Sequence, residues 1–169
     1  MKIELLAQPV FSEALLDVAK QNGLDVALDT SGFGDGDLLQ RLARKADHIL
    51  YDLKAMQDEA HQAYTGVSNR LILSNLRQLA AAGLQRKVII RLPLISGVND
   101  GDGNISAVGQ LMREFSLTAA TLLPYHGLGL SKSRGIGREQ EIFAPPSSER
   151  LEQIAQLLHG YGVTVRVRE

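Results

Sequence analysis

Val26-Ala27-Leu28-Asp29-Thr30-Ser31-Gly32 (residues 26–32) runs from three apolar residues into an acid, two hydroxyls and a glycine, and the same change of character recurs three times. His48 to Lys54 (HILYDLK) ends on Asp52 and Lys54. Lys87 to Pro93 (KVIIRLP) carries Arg91, and Thr121 to His126 (TLLPYH) ends on His126. Short apolar runs closed by turn residues are the pattern of buried strands. In a parallel sheet functional side chains gather at the strands' C-terminal ends, so four such endings point to one shared site.

The stretches between them read as helices. Ser12 to Asn22 sets Ala14, Leu15, Val18 and Ala19 at helical spacing, with Ser12 as N-cap and Gly23 as stop. Asp25 to Leu28 is the first expected strand. The glycine-rich turn GFGDGD (32–37) then leads to Asp37, expected to cap a helix carrying Leu38, Leu39, Leu42 and Ala43. Ile49–Leu53, Lys87–Ile95 and Ala119–Leu123 are further strands. They are separated by helices over Asp58–Tyr64, Arg70–Ala82 and Ile105–Phe115, and Ser147–His159 precedes a closing segment, Val163–Val167. Alternating strands and helices with continuously apolar strands imply right-handed crossovers and a mainly parallel α/β sheet. A full eight-unit barrel needs about 250 residues, so the expectation for 169 residues is a single domain over 1–169 forming a partial (βα) barrel or an open sheet.

Composition narrows the function classes. Eighteen Lys and Arg against nineteen Asp and Glu give a net charge of −1, without the broad basic surface that nucleic-acid binding requires. No run is long enough to span a membrane and no signal-peptide pattern opens the chain, so a cytoplasmic protein is expected. The chain has no cysteine, which removes disulfides, zinc–thiolate sites and thiolate-held iron–sulfur clusters from its own residues.

Each strand ending has a structural reading beside the functional one. Asp29-Thr30-Ser31-Gly32 serves equally as an Asx-turn or helix cap. Asp52 and Lys54, two apart on a strand, can form a surface ion pair of little consequence. Arg91 in an apolar strand needs an acceptor-rich partner, and His126 opens a glycine-rich stretch without a phosphate-loop signature. Taken together, carboxylate, ammonium, guanidinium and imidazole at four strand ends suit a zwitterion's carboxylate and amine, or a hard cation held by Asp29 and Asp52.

The stretches ALDTSGF, ILYDLKAM, DEAHQAYTGVSN, IIRLPLISGVND and LLPYHGLG, in this order and spacing, resemble the activating enzymes of glycyl-radical enzymes, the pyruvate formate-lyase type above all. The resemblance runs from about Leu5 to the C terminus and takes in Gln8-Pro9, Lys132 and Pro145-Pro146. It implies a radical SAM core, a partial barrel of about six units of which this chain would supply about four. By that resemblance Asp52, Leu53 and Lys54 contact S-adenosylmethionine, Arg91 helps hold it, and His126 lies beside its adenosine part. Asp29, Thr30 and Asp52 would surround a monovalent cation. The family reaction reduces S-adenosylmethionine with an electron from a [4Fe–4S] cluster, and the resulting radical removes hydrogen from a glycine of a partner glycyl-radical enzyme such as a pyruvate formate-lyase homologue.

Two departures shape the expectation. The family's CxxxCxxC motif has no counterpart, and Met1-Lys2-Ile3-Glu4 stands where the family carries GGEP. The chain is therefore expected to be a truncated radical SAM barrel, inactive by itself, with weak or no S-adenosylmethionine binding. Its open sheet edge would be covered by self-association or by the missing N-terminal half. The alternatives are a non-catalytic binding or complementing module for a glycyl-radical enzyme, and a Schiff-base lyase using Lys54.

Overall fold

The computed structural model describes residues 5–126 and 143–168. Met1–Glu4 and the glycine-rich stretch 127–142, with Lys132, lie outside them. Five strands, β1 (Ala27–Thr30), β2 (His48–Asp52), β3 (Val88–Leu94), β4 (Ala119–Pro124) and β5 (Thr164–Val167), form one sheet in the order β1-β2-β3-β4-β5. Every neighbouring pair is parallel. The helices are α1 (Pro9–Gln21), α2 (Gly36–Lys45), α3 (Asp58–Thr65), α4 (Arg70–Ala81), α5 (Asp102–Glu114) and α6 (Ser148–His159). Sequential order with right-handed crossovers puts the connecting helices on one side of the sheet, which is the winding of a barrel arc. The α/β partial-barrel expectation holds, and the strand order decides against a doubly wound open sheet.

Side-chain alternation divides the sheet into two faces. Leu28, Thr30, Ile49, Tyr51, Val88, Ile90, Leu92, Leu94, Ala120 and Leu122 are each at most 2% exposed. They pack under Leu39 and Leu42 of α2, Leu76 and Leu79 of α4, Ile105 and Met112 of α5, and Ile154 and Leu158 of α6. On the opposite face Leu50, Ile89, Pro93, Thr121 and Leu123 are only half-buried. No described helix covers that face, an arrangement that in parallel sheets belongs to a barrel interior.

Three local expectations are corrected. The first helix begins at Pro9, whose fixed φ and missing N–H suit a first helical position, so Ser12 lies inside the helix, fully buried, and does not cap it. This helix buries Ser12 and Leu16, leaving Leu15 48% and Val18 55% exposed beside Val10 at 85% and Phe11 at 50%. The second helix is capped by Asp35, whose Oδ1 accepts from Leu38 N–H at 2.7 Å; Asp37 sits within its first turn. Between β1 and α2 the chain turns at Gly32, with φ of 72°, where a side chain would collide with the Tyr51 ring. Asn75 Nδ2 holds that turn by donating to the carbonyls of Gly32 and Gly34 at 2.8 and 2.9 Å. No described helix is long and apolar enough to cross a membrane.

Candidate functional site

Parallel register sets Asp52 of β2 beside Arg91 of β3, and Arg91 beside Thr121 of β4. Asp29 of β1 shares their face, because its register partner is Leu50, two residues before Asp52. The Arg91 guanidinium bridges both acids. Its Nε donates to Asp52 Oδ1 at 2.7 Å, while Nη1 and Nη2 reach the two oxygens of Asp29 at 2.9 and 2.5 Å. The Arg91 and Asp52 side chains are 16% and 12% exposed, and Asp29 40%. Burial pulls the Arg91 pKa down, but the hydrogen bonds and charges of Asp29 and Asp52 outweigh it and leave it raised. The buried arginine thus has the acceptor-rich partners its position demanded.

Asp52 therefore pairs with Arg91 and not with Lys54. Bidentate fork geometry and a neighbouring strand favour the guanidinium over a lysine beyond the strand's end. Lys54 is exposed and makes no ion pair among the described residues. It lines two adjoining clefts. One, of about 290 Å³, is formed with Ala55, His61, Tyr64, Pro93 and Ile95, among others. The other, of about 140 Å³, includes Ser31, Phe33, Asp52, His61 and Thr65. The larger reaches the low end of the range, roughly 300 Å³ upward, of small-molecule sites.

His61 stands in the wall common to both clefts and is 3% exposed. Its Nδ1 lies 2.8 Å from the Val67 carbonyl, which only accepts, so Nδ1 is the donor of that bond. His61 lies within the DEAHQAYTGVSN stretch, and the sequence alone assigns it no role. Its signal was a polar residue on the inner side of a short helix directly after a strand-end lysine.

The other expected residues are distributed as follows. Leu53 is 4% exposed in the core and continues the ladder through its N–H to the Arg91 carbonyl at 2.9 Å. Thr30 points to the helix-covered face, opposite Asp29, where its Oγ1 accepts from Gly32 N–H at 3.0 Å. Asp29 and Asp52 converge on the Arg91 guanidinium, whose Nη2 lies 2.5 and 2.7 Å from an oxygen of each, while Thr30 faces away. No group of three or more His, Cys, Asp or Glu able to hold a metal ion occurs among the described residues. His126 is exposed beyond β4 and lines neither cleft.

No protein-family model matches the chain. It is 34% identical over 169 residues to the trans-4-hydroxy-L-proline dehydratase activating enzyme of Clostridioides difficile, covering 97% of this chain and 55% of that protein. It is also 34% identical to the choline trimethylamine-lyase activating enzyme of Oleidesulfovibrio alaskensis, covering 97% and 54%. The chain thus spans about half the length of the curated relatives it matches. A crystal structure of a domain of pyruvate-formate lyase-activating enzyme from Bacteroides vulgatus superposes with a TM-score of 0.82 at 30% identity, covering 100% of this chain and 96% of that one. A radical SAM methyltransferase from Sphaerobacter thermophilus shares the fold alone, with a TM-score of 0.65 at 24% identity over 86% of this chain and 41% of that one. With the arc of the radical SAM barrel and these relatives in agreement along nearly its whole length, the chain belongs to the activating enzymes of glycyl-radical enzymes.

Proposed function

We propose that the chain is the part of a glycyl-radical enzyme activating enzyme that grips S-adenosylmethionine at its strand ends, and that it performs no radical chemistry on its own residues alone. The observation that carries this reading is the Asp29–Arg91–Asp52 bridge standing next to Lys54, which makes no ion pair among the described residues, at the mouth of two clefts. The donor set fits an amino-acid-bearing nucleoside. Lys54 offers a cation to a carboxylate, Asp52 has a second oxygen for an ammonium, and the larger cleft has apolar walls in Ala55, Pro93, Ile95 and Val98. Arg91 acts through Asp52 by fixing its carboxylate and Leu53 contributes through its main chain, while His126, exposed beyond β4, stands outside both clefts.

When bound and reduced, S-adenosylmethionine supplies the hydrogen-abstracting power of the family reaction, whose target is a glycine of a partner enzyme. The [4Fe–4S] cluster does not fit this chain, because no cysteine stands among its residues, and its ligands would come from another polypeptide segment. A monovalent cation does not fit the Asp29, Thr30 and Asp52 set either, since Arg91 already neutralises the two acids and Thr30 faces away.

Titration calorimetry of the 169-residue chain with S-adenosylmethionine tests the reading. Weak binding is expected, reduced about tenfold or more by Asp52→Ala. Absence of any heat from the wild-type chain, or cleavage of S-adenosylmethionine by the iron-reconstituted chain alone, would contradict it.

A second reading, a complementing module, is favoured by the exposed Val10, Phe11, Leu15 and Val18 of α1 beside β1, whose outer edge pairs with no described strand. It predicts concentration-dependent self-association in light scattering, suppressed by Phe11→Glu. A monomer at all concentrations counts against it. The Schiff-base reading required a buried lysine, and Lys54 is exposed.

A further inference from the structure

Beyond β2 the main chain leaves the sheet at Lys54–Met56 and has no ladder to receive its polar groups, yet three asparagine amides take them up. Asn99 Nδ2 donates to the Lys54 carbonyl at 2.6 Å and to the Pro93 carbonyl at 2.7 Å, and its Oδ1 accepts from Ile95 N–H at 2.8 Å. Asn69 Nδ2 donates to the carbonyls of Ala55 and Met56 at 3.1 and 2.9 Å. Asn104 Oδ1 accepts from Met56 N–H at 2.8 Å, while its Nδ2 donates to the Asn99 carbonyl at 2.7 Å.

Asn69 and Asn99 are 3% and 6% exposed. Asn69 is fixed in turn by Asp58, whose Oδ1 accepts from Asn69 N–H at 2.9 Å and from the Ser68 hydroxyl at 2.7 Å. These bonds hold the Asp58 pKa below the usual carboxylate range. Asn99 ties the exits of β2 and β3 to each other, and the residue whose carbonyl it holds carries the ammonium that lines both clefts. The TGVSN and SGVND stretches thus acquire a physical task that neither their composition nor their spacing disclosed.

We propose that Asn69, Asn99 and Asn104 are positioning residues that lock the β2 exit in the conformation from which Lys54 meets an anionic group of the bound ligand. The proposal rests on the reading of Lys54 as a ligand contact. Burial alone explains why these carbonyls need donors. It does not explain why three asparagine amides converge on the three-residue exit that begins with Lys54, whose ammonium lines both clefts.

A double-mutant cycle tests it, with S-adenosylmethionine as the titrant against wild type, Lys54→Ala, Asn99→Ala and the double variant. Asn99→Ala is expected to weaken binding about tenfold and to weaken it no further when Lys54 is already alanine. Multiplying effects, or unchanged binding by Asn99→Ala, would overturn the proposal. If Asn99→Ala does not fold, Asn104→Ala, which removes the bonds to Met56 N–H and to the Asn99 carbonyl, enters the same cycle with the same criteria. Absence of wild-type binding would defeat the functional reading, and hydrogen exchange then judges the clamp separately. Exchange accelerated about tenfold and confined to residues 54–56 and Ile95, whose N–H donates to Asn99, supports the lock in Asn99→Ala, whereas acceleration at Ile95 alone, global acceleration or none refutes it.

Discussion

Along β3, Val88, Ile90, Leu92 and Leu94 are each at most 2% exposed, while Ile89, Arg91 and Pro93 on the alternate positions remain half-buried. The first set lies under four helices and is wholly apolar. The second shares its face with Asp29, Asp52 and Thr121 and carries the charge. One strand therefore divides by alternation alone: its covered face supplies the burial that stabilises the arc, and its open face presents the charged groups that the proposed function assigns to a ligand. Substitutions on the two faces should separate stability from binding.

The largest effect is expected on the covered face. Ile90→Ala removes a fully buried side chain under the helices and should cost about 3 kcal/mol in urea unfolding, against about 1 kcal/mol for Ile89→Ala one residue away. Equal losses would show that both faces are packed alike. Next comes Arg91→Met, which leaves two carboxylates facing one another. A cost of about 2 kcal/mol near neutral pH is expected, after allowance for the exposure of Asp29. Arg91→Lys keeps the charge and gives up the fork, so it should recover part of that loss. Equal losses in the two variants would break the claim that charge pairing is what Arg91 contributes.

Lys54→Ala should leave stability within about 0.5 kcal/mol of wild type, because the side chain is exposed and unpaired among the described residues, while S-adenosylmethionine binding falls about tenfold. The smallest effect lies at the other end of the strands, in neither face. Asp47 accepts from Lys20 at 2.7 and 2.8 Å and from Val26 N–H at 2.8 Å, and the Lys20 hydrogen bond first among these holds its pKa at about 2. A depressed folded pKa gives stability that is present above the unfolded value, near 4, and is lost as pH falls toward 2. Asp47→Asn should therefore flatten the acid-unfolding profile in that window and leave ligand binding untouched.

Much of this division could be read from the chain. The apolar runs ending in Asp29, Asp52 and Arg91 marked the strands, and Arg91 inside an apolar run announced a buried acceptor, since an unpaired guanidinium there is too costly to keep. The pairing itself was hidden. Spacing by two made Lys54 look like the partner of Asp52, whereas the partner came from 39 residues away through strand register. The start of α1 was legible in Pro9, a residue suited to the first helical position, but Ser12 drew attention as a better-known cap. The asparagine contacts to Lys54–Met56 span 13 to 48 residues and follow no periodic rule, so only the folded arrangement discloses them. The exposure of α1's apolar side chains was equally illegible, because helical spacing tells which residues share a face but not whether anything lies against it.

The account's central claim, that the open face and the strand exits hold the nucleoside cofactor, is tested most directly by amide chemical-shift mapping of the 169-residue chain titrated with S-adenosylmethionine. The predicted result is a set of saturable shifts at Asp29–Ser31, Asp52–Met56, Arg91–Ile95 and His61, with α2, α4 and α6 unmoved. Shifts confined to the helices, or none up to the solubility limit of S-adenosylmethionine, would contradict it.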